Sequence, residues 1–250
     1  MTDPASGSAW IRRFHPTPDS GVRLVCLPHA GGSASFYHPM SQALSGRLDV
    51  MAIQYPGRQD RRKEPCVEDI GELALAVAAE LEPCLDRPVA LFGHSMGATL
   101  AFEVARVMER KYAFTAAHVF VSGRQAPSIH RDETVHLRGD DGIVREMLAL
   151  QGTDAAVLAD EELLRMALPA LRGDYRAIER YRAEPGAVVA APVTALTGDS
   201  DPRVSVADAE AWRSHTTSGF DLRVFTGGHF FPAKNQAAVV QLISSQLFRS

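Results

Sequence analysis

The chain has 250 residues, of which 46% are hydrophobic and 22% are charged. These values lie near the average for globular proteins and argue against a disordered or fibrous chain. A formal net charge of only −4 leaves no basic surface for nucleic acid, and the odd number of cysteines (Cys26, Cys66 and Cys84), without a C-x-x-C pair, argues against a disulfide framework or a zinc knuckle.

The N-terminal sequence MTDPASGSAW has neither the basic nor the apolar part of a secretion signal, and no apolar run reaches 18 residues. We therefore expect a soluble cytoplasmic protein without a membrane segment. The length permits one or two domains, and we expect one domain that carries an insertion.

Short aliphatic and β-branched runs recur along the chain, and helical patterns separate them. Such alternation predicts βαβ units and an α/β fold with a mostly parallel sheet. A long helix is predicted at about residues 67–85, and a second helix follows Ser95. The predicted strands are residues 22–27, 50–54, 89–92, 117–122, 193–197 and 222–225.

The alternation breaks at residues 129–186, which contain helical patterns but no convincing strand. We predict that residues 1–128 and 187–250 form the core domain and that residues 129–186 form a helical insertion. Covers of active sites are commonly helical insertions near the carboxyl ends of sheet strands, so this segment is expected to be a lid. Extra core or a solvated bundle is the alternative.

The segment PVALFGHSMGATLAF places G-x-S-x-G between a predicted strand and a predicted helix. This is the context of a nucleophile elbow, in which a strained turn exposes the serine hydroxyl and the glycines let the two backbones approach. Ser95 is therefore the predicted nucleophile. The alternative is a glycine-rich turn without catalytic function.

A serine nucleophile needs a histidine to accept its proton and an acid to orient that histidine. In this architecture the chain order is serine, acid, histidine, so both partners must follow Ser95. His229 lies in a glycine-rich loop after the last predicted strand and is preferred over four other histidines. Asp201 and Asp199 both follow a strand end, and Asp201 is preferred as the acid, with Asp199 expected to cap the turn or the next helix.

The oxyanion of acyl transfer needs two backbone donors. Met96 follows the nucleophile and supplies the first N–H, and Ala30 in LPHAGGSASFY, directly after a strand, is the expected second donor. A phosphate loop is a poor interpretation of HAGG, because no Gly-Lys-Ser/Thr follows. His29 and His38 lack the carboxylate or cysteine partners that a metal site requires, and no cofactor is expected.

These motifs together resemble an α/β-hydrolase, and more narrowly the type II thioesterases of polyketide and nonribosomal peptide assembly lines. The resemblance spans nearly the whole chain and rests on LPHAGGSA, QYPGRQDR, GHSMG, SGRQAP, LRGDYRAIERY, LTGDSDP and GGHFFP. It implies an enzyme without a cofactor that hydrolyses acyl thioesters from the phosphopantetheine arm of carrier proteins and so removes stalled or aberrant acyl groups. It also implies the same triad and oxyanion pair.

Carrier proteins are typically acidic in this family, so a basic surface could dock them. Arg58, Arg61, Arg62 and Lys63 form the densest basic run, and Arg124 could join it. A solvated charged loop is the alternative interpretation. We expect transient carrier contacts by a monomer, with no role for nucleic acid or membrane. Two other functions stay open, a general carboxylesterase or lipase with the same triad and a non-catalytic binding module.

Overall fold

The computed structural model describes residues 7–150 and 161–248 of the chain. Its centre is a seven-stranded sheet with the order β1-β3-β2-β4-β5-β6-β7. All neighbouring strands pair in parallel except β1, which pairs antiparallel with β3. The strands are Ile11–Arg12 (β1), Arg23–Leu27 (β2), Asp49–Ile53 (β3), Val89–His94 (β4), His118–Ser122 (β5), Val193–Gly198 (β6) and Phe220–Phe225 (β7).

Strands β2 to β6 are buried along their whole length, because helices cover both faces of the sheet. Each connection between consecutive strands from β2 to β7 contains a helix, so the carboxyl ends of these parallel strands lie at the same edge of the sheet. The helices are His38–Leu44 (α1), Ile70–Leu81 (α2), Met96–Tyr112 (α3), Asp140–Leu150 (α4), Glu161–Arg180 (α5), Val206–Glu210 (α6), Phe231–Lys234 (α7) and Gln236–Leu247 (α8).

The hydrophobic core has two parts, one on each face of the sheet. Helices α2 and α3 pack on one face, where Val77 and Leu100 are fully buried. Helices α1 and α8 pack on the other face, where Leu44 and Ile243 are fully buried. The predicted α/β fold with a mostly parallel sheet is confirmed.

Between β5 and β6 the described residues form helices α4 and α5 and a short 3-10 turn, but no strand. These elements carry a small hydrophobic cluster of their own, which includes Val135, Ile143 and Leu171. Residues 151–160 of the predicted insertion lie outside the described residues. Among the helices that the structure describes, none combines the length and the hydropathy that a membrane crossing requires.

Beyond shifts of a few residues at element ends, the structure adds one strand and moves the start of one helix. The two-residue edge strand β1 was not predicted, because Ile11–Arg12 is too short to show a pattern and is defined by its pairing with β3. Helix α2 begins at Ile70 rather than near residue 67, because the Asp69 side chain accepts the Glu72 N–H (2.9 Å) and caps the helix.

Candidate active site

Ser95 stands between β4 and α3 at the carboxyl end of a central strand of the sheet. Its φ of 55° and ψ of −119° are unusual for a residue with a side chain, and this backbone strain marks a sharp turn. The Ser95 N–H donates to the Ser122 carbonyl at the end of β5 (2.8 Å), which holds the turn in place. The hydroxyl is thereby presented above the edge of the sheet.

The glycines on either side of Ser95 are required by close backbone contacts. A Cβ on Gly93 would stand closer than 3.0 Å to the Gly97 carbonyl, and a Cβ on Gly97 would stand equally close to the Leu27 carbonyl. Helix α3 can therefore start directly against β2 and β4 only because both positions lack side chains. These two close contacts explain why the G-x-S-x-G pattern has a glycine on each side of the serine.

His229 and Asp201 meet at the same edge of the sheet. His229 Nδ1 lies 2.9 Å from Asp201 Oδ2, and the two side chains are 4% and 0% exposed. The other carboxylate oxygen of Asp201 accepts the backbone N–H groups of Arg203 (2.8 Å) and Val204 (3.3 Å). The turn after β6 thus fixes the carboxylate, and the carboxylate fixes the imidazole.

Asp199 occupies a different position from Asp201 although only one residue separates them. It is exposed, and its Oδ1 accepts the Gly227 N–H (2.9 Å) in the loop that carries His229. Asp199 therefore joins the loops that follow β6 and β7. The expected cap of the next helix is wrong, because Ser205 caps helix α6.

The segment after β2 forms a tight turn in which the Gly32 N–H donates to the His29 carbonyl (2.9 Å). Gly31 within this turn has a φ of +73°, which favours glycine. Ala30, Ser95, Met96 and His229 all line one cavity. As the first residue of α3, Met96 has no intrahelical acceptor for its N–H, so that donor is available at the helix N-terminus.

Two further histidines lie near His229 and were not singled out as part of the catalytic site from the sequence. The ring of His94 lies 5.1 Å from that of His229 between centroids, and that of His29 lies 6.1 Å from that of His94. Burial, with the nearby His229, lowers the pKa of His94 well below its usual range and that of His29 to about 3. The lowered pKa favours the neutral form of both rings, and a neutral ring does not oppose a positive charge on His229.

The cavity beside Ser95 has a volume of about 250 Å³. Its lining mixes apolar side chains, most of them from the segment between β5 and β6, with charged ones that include Arg124, Glu133 and Arg203. Its apolar lining includes Met96, Val135, Met147, Leu171 and Ile178. The cavity can take a small acyl group next to the serine hydroxyl.

The four arginines of the predicted docking surface do not form one exposed patch in the structure. Arg58 and Arg61 are only 7% and 6% exposed. Arg58 binds Asp174 through both terminal nitrogens (2.7 and 2.9 Å), and Arg61 donates to Glu64 and to the Gln54 carbonyl. Their burial contradicts the prediction that they offer free positive charge to a partner, because both guanidinium groups already have partners inside the protein.

Arg124 lies in the wall of the cavity rather than on an outer surface, and burial lowers the pKa of its guanidinium. Arg62 alone of the four is exposed. Within the described ranges, no group of three or more histidine, cysteine or acidic side chains is arranged to hold a metal ion.

The sheet order, the strained elbow and the histidine–carboxylate pair define a serine hydrolase of the α/β-hydrolase class. A family model described as the thioesterase domain matches residues 22–247. The chain belongs to the thioesterase family, and it is a thioester hydrolase.

Several known proteins are similar over most of the chain. The probable cadicidin biosynthesis thioesterase of Streptomyces griseus is 56% identical over 242 residues, which are 97% of this chain and 67% of that protein. Thioesterase PikA5 of Streptomyces venezuelae is 50% identical over 89% of this chain and 79% of its own length. The structure of the type II thioesterase BorB from the borrelidin biosynthetic cluster is 50% identical, with a TM-score of 0.90 and 99% of both chains covered. The resemblance to type II thioesterases is confirmed.

Proposed function

We propose that this enzyme removes acyl groups from the phosphopantetheine arms of carrier proteins in polyketide or nonribosomal peptide synthesis. Two similar solved structures are named for such pathways, the type II thioesterase YbtT from the yersiniabactin NRPS/PKS pathway and ClbQ from the colibactin NRPS/PKS pathway. The observation that carries the catalytic assignment is the bond between His229 and Asp201 beside the strained Ser95, at the wall of a small, partly apolar cavity.

In the first half of the reaction, Ser95 Oγ attacks the thioester carbonyl while His229 Nε2 takes the hydroxyl proton. Asp201 holds the opposite ring nitrogen and stabilises the imidazolium that forms. The N–H groups of Met96 and Ala30 bind the developing oxyanion. The tetrahedral intermediate then expels the pantetheine sulfur, which receives the proton from His229 and leaves as a thiol.

In the second half, a water molecule gives a proton to His229 and attacks the acyl-serine carbonyl. Collapse of this intermediate breaks the ester bond, returns the proton to Ser95 Oγ and releases a free acid. Substrate, water and these side chains account for every proton and electron pair, so the scheme requires no cofactor.

We propose that residues 129–186 are the lid over this reaction. Their described part supplies most of the apolar wall of the cavity, from α4, α5 and the short turn before them. The proposed catalytic groups all come from one chain, so the enzyme can act as a monomer in transient contact with a carrier. The cavity volume favours small acyl groups over long chains.

The test is intact-mass spectrometry of carrier proteins loaded with acetyl, propionyl and longer acyl groups. We expect the enzyme to restore the free pantetheine thiol, small groups being removed fastest, and Ser95→Ala to remove none. If the enzyme hydrolyses aryl esters but not loaded carrier proteins, it is a general esterase instead. Failure of Ser95 to react with a fluorophosphonate probe would instead indicate a non-catalytic binding protein.

A further inference from the structure

Helix α5 in the proposed lid makes a buried polar contact with the turn that carries Ala30. Asp174 on this helix is 1% exposed. Its Oδ2 accepts the backbone N–H of Gly31 at 2.7 Å. Gly31 directly follows Ala30, so the carboxylate holds the peptide unit next to the proposed oxyanion donor.

Arg58 completes this contact from the segment after β3. Its two terminal nitrogens bind the two oxygens of Asp174 (2.7 and 2.9 Å), and one of them also donates to the Gly32 carbonyl at 3.3 Å. The Arg58 Nε donates to the Pro56 carbonyl (3.2 Å), which anchors the guanidinium in the core. The two sides of the glycine turn are therefore held by one ion pair, the N–H of Gly31 by the acid and the carbonyl of Gly32 by the base.

The same face of α5 also touches the turn through an apolar side chain. Leu171 lies one helical turn before Asp174, and a Cβ on Gly31 would stand closer than 3.0 Å to the Leu171 side chain. Leu171 also lines the cavity next to Ser95. The helix therefore packs directly against the turn, and the spacing of three residues brings the leucine and the carboxylate to it together.

We propose that Asp174, held by Arg58, is a positioning residue that fixes the oxyanion turn, so that the oxyanion hole is assembled only while α5 is packed over the site. The inference rests on the proposed function, in which Ala30 is an oxyanion donor. Such a donor must stand within hydrogen-bond distance of the oxygen as it becomes an alkoxide, and a small rotation of the peptide removes that interaction. Without the Asp174 carboxylate, the Gly31 N–H loses its acceptor and the buried Arg58 loses its counter-charge.

The test compares Asp174→Asn with Glu179→Gln, a matched change of another buried carboxylate on α5. Glu179 binds the N–H groups of Val135 (2.8 Å) and His136 (3.1 Å), within the insertion and away from the oxyanion turn. We expect Asp174→Asn to lower kcat at least about tenfold with KM changed less than about threefold, and Glu179→Gln to leave kcat within about twofold. Turnover is measured with an aryl ester and counted per active site by burst titration, so that misfolded protein does not contribute.

A second readout separates positioning from a merely structural role. A pantetheine trifluoromethyl ketone adds to Ser95 and places its alkoxide in the oxyanion hole, so its inhibition constant should rise at least about tenfold in Asp174→Asn. The shape of the pH profile should not change, because the pair of His229 and Asp201 is untouched. In a double-mutant cycle, Arg58→Gln and Asp174→Asn should cost little more together than either alone.

Wild-type kcat and inhibitor affinity in titrated Asp174→Asn would overturn the proposal. Should that variant fail to fold, hydrogen exchange of the Gly31 amide in the wild-type enzyme decides the matter. Slow exchange supports the contact with Asp174, and exchange at the rate of a free turn amide contradicts it. If the wild-type enzyme is active and Asp174→Asn is equally active, this inference alone is rejected. If the wild-type enzyme hydrolyses neither ester nor thioester, the proposed function is rejected.

Discussion

At the scale of single residues, the roles of similar side chains depend on which groups surround them in the fold. Asp199 and Asp201 belong to the same turn, but only Asp201 bonds to His229, whereas Asp199 bonds to the Gly227 N–H. Arg61 and Arg62 are neighbours in sequence, but one is buried and the other is exposed. Chemical type alone therefore does not assign function in either pair.

Replacing Asp201 should remove most activity, whereas replacing Asp199 should change it little. We expect Asp201→Asn to lower kcat by about 10³–10⁴, because the amide cannot stabilise the imidazolium and can impose the wrong histidine tautomer. The matched change Asp199→Asn keeps an acceptor oxygen for Gly227 and should leave kcat within about threefold. Steady-state kinetics on an acyl pantetheine thioester measures both. Equal losses in the two variants would count against Asp201 as the acid.

Arg62 is the part of the predicted docking surface that remains to be tested. The change Arg62→Glu should raise KM for a loaded carrier protein by about two- to fivefold at low salt, since one exposed charge contributes weakly and is screened. KM for a small acyl pantetheine thioester should stay the same. If both substrates are affected equally, Arg62 does not contact the carrier.

At the scale of elements, the active site depends on how closely α3 approaches the sheet. The strained Ser95 is held from one side by β5 and from the other by the start of α3, and Gly97 allows that start to touch the Leu27 carbonyl. The elbow is thus a property of three strands and one helix packed together.

Adding one methyl group at Gly97 should therefore disrupt the elbow. Gly97→Ala is expected to lower the free energy of unfolding by about 3 kcal/mol and to abolish most activity, because its Cβ would overlap the Leu27 carbonyl. The control is Gly219→Ala, whose Cβ would meet nothing within 4 Å and whose effect should stay within about 0.5 kcal/mol. Urea denaturation monitored by fluorescence compares the two. Similar stability losses would refute the steric argument.

The sequence reveals the strands and the elbow well because their signals are local. Six strands follow from short apolar runs, and Ser95, Asp201 and His229 come forward because each follows a predicted strand end. The pairing of Arg58 with Asp174 joins residues 116 positions apart, and no local pattern shows it. Both residues stand in motifs noted from the sequence, QYPGRQDR and LRGDYRAIERY. The run of basic residues around Arg58 suggested an exposed surface, whereas the fold buries Arg58 in an ion pair with Asp174.

At the scale of the whole molecule, folding withdraws two histidines beside the site from water, His94 completely and His29 in large part. The pKa of His29 falls to about 3 and that of His94 also falls, chiefly because burial removes water from the rings. Above pH 6.5 these residues are neutral in both folded and unfolded chains. Below it the unfolded chain binds protons that the folded chain does not, so stability decreases as pH falls towards 3.

This linkage predicts the effect of a single replacement on acid stability. Between about pH 6 and pH 4, His29→Asn should reduce the pH slope of the unfolding free energy by roughly 1 kcal/mol per pH unit, because one fewer proton is taken up on unfolding. Urea titrations at several pH values in this range measure the slope for both proteins. An unchanged slope would mean that His29 is protonated in the folded enzyme.

The connection between β5 and β6 has a consequence for recombination between relatives. Ser95, Met96, Ala30, Asp201 and His229 all lie outside residues 123–192, whereas much of the apolar cavity wall lies inside them. Exchanging this one continuous segment between related enzymes should therefore transfer acyl preference without replacing any group that touches the reacting carbonyl. Arg58 stays behind in the recipient, so each exchanged segment must bring its own carboxylate at the position of Asp174.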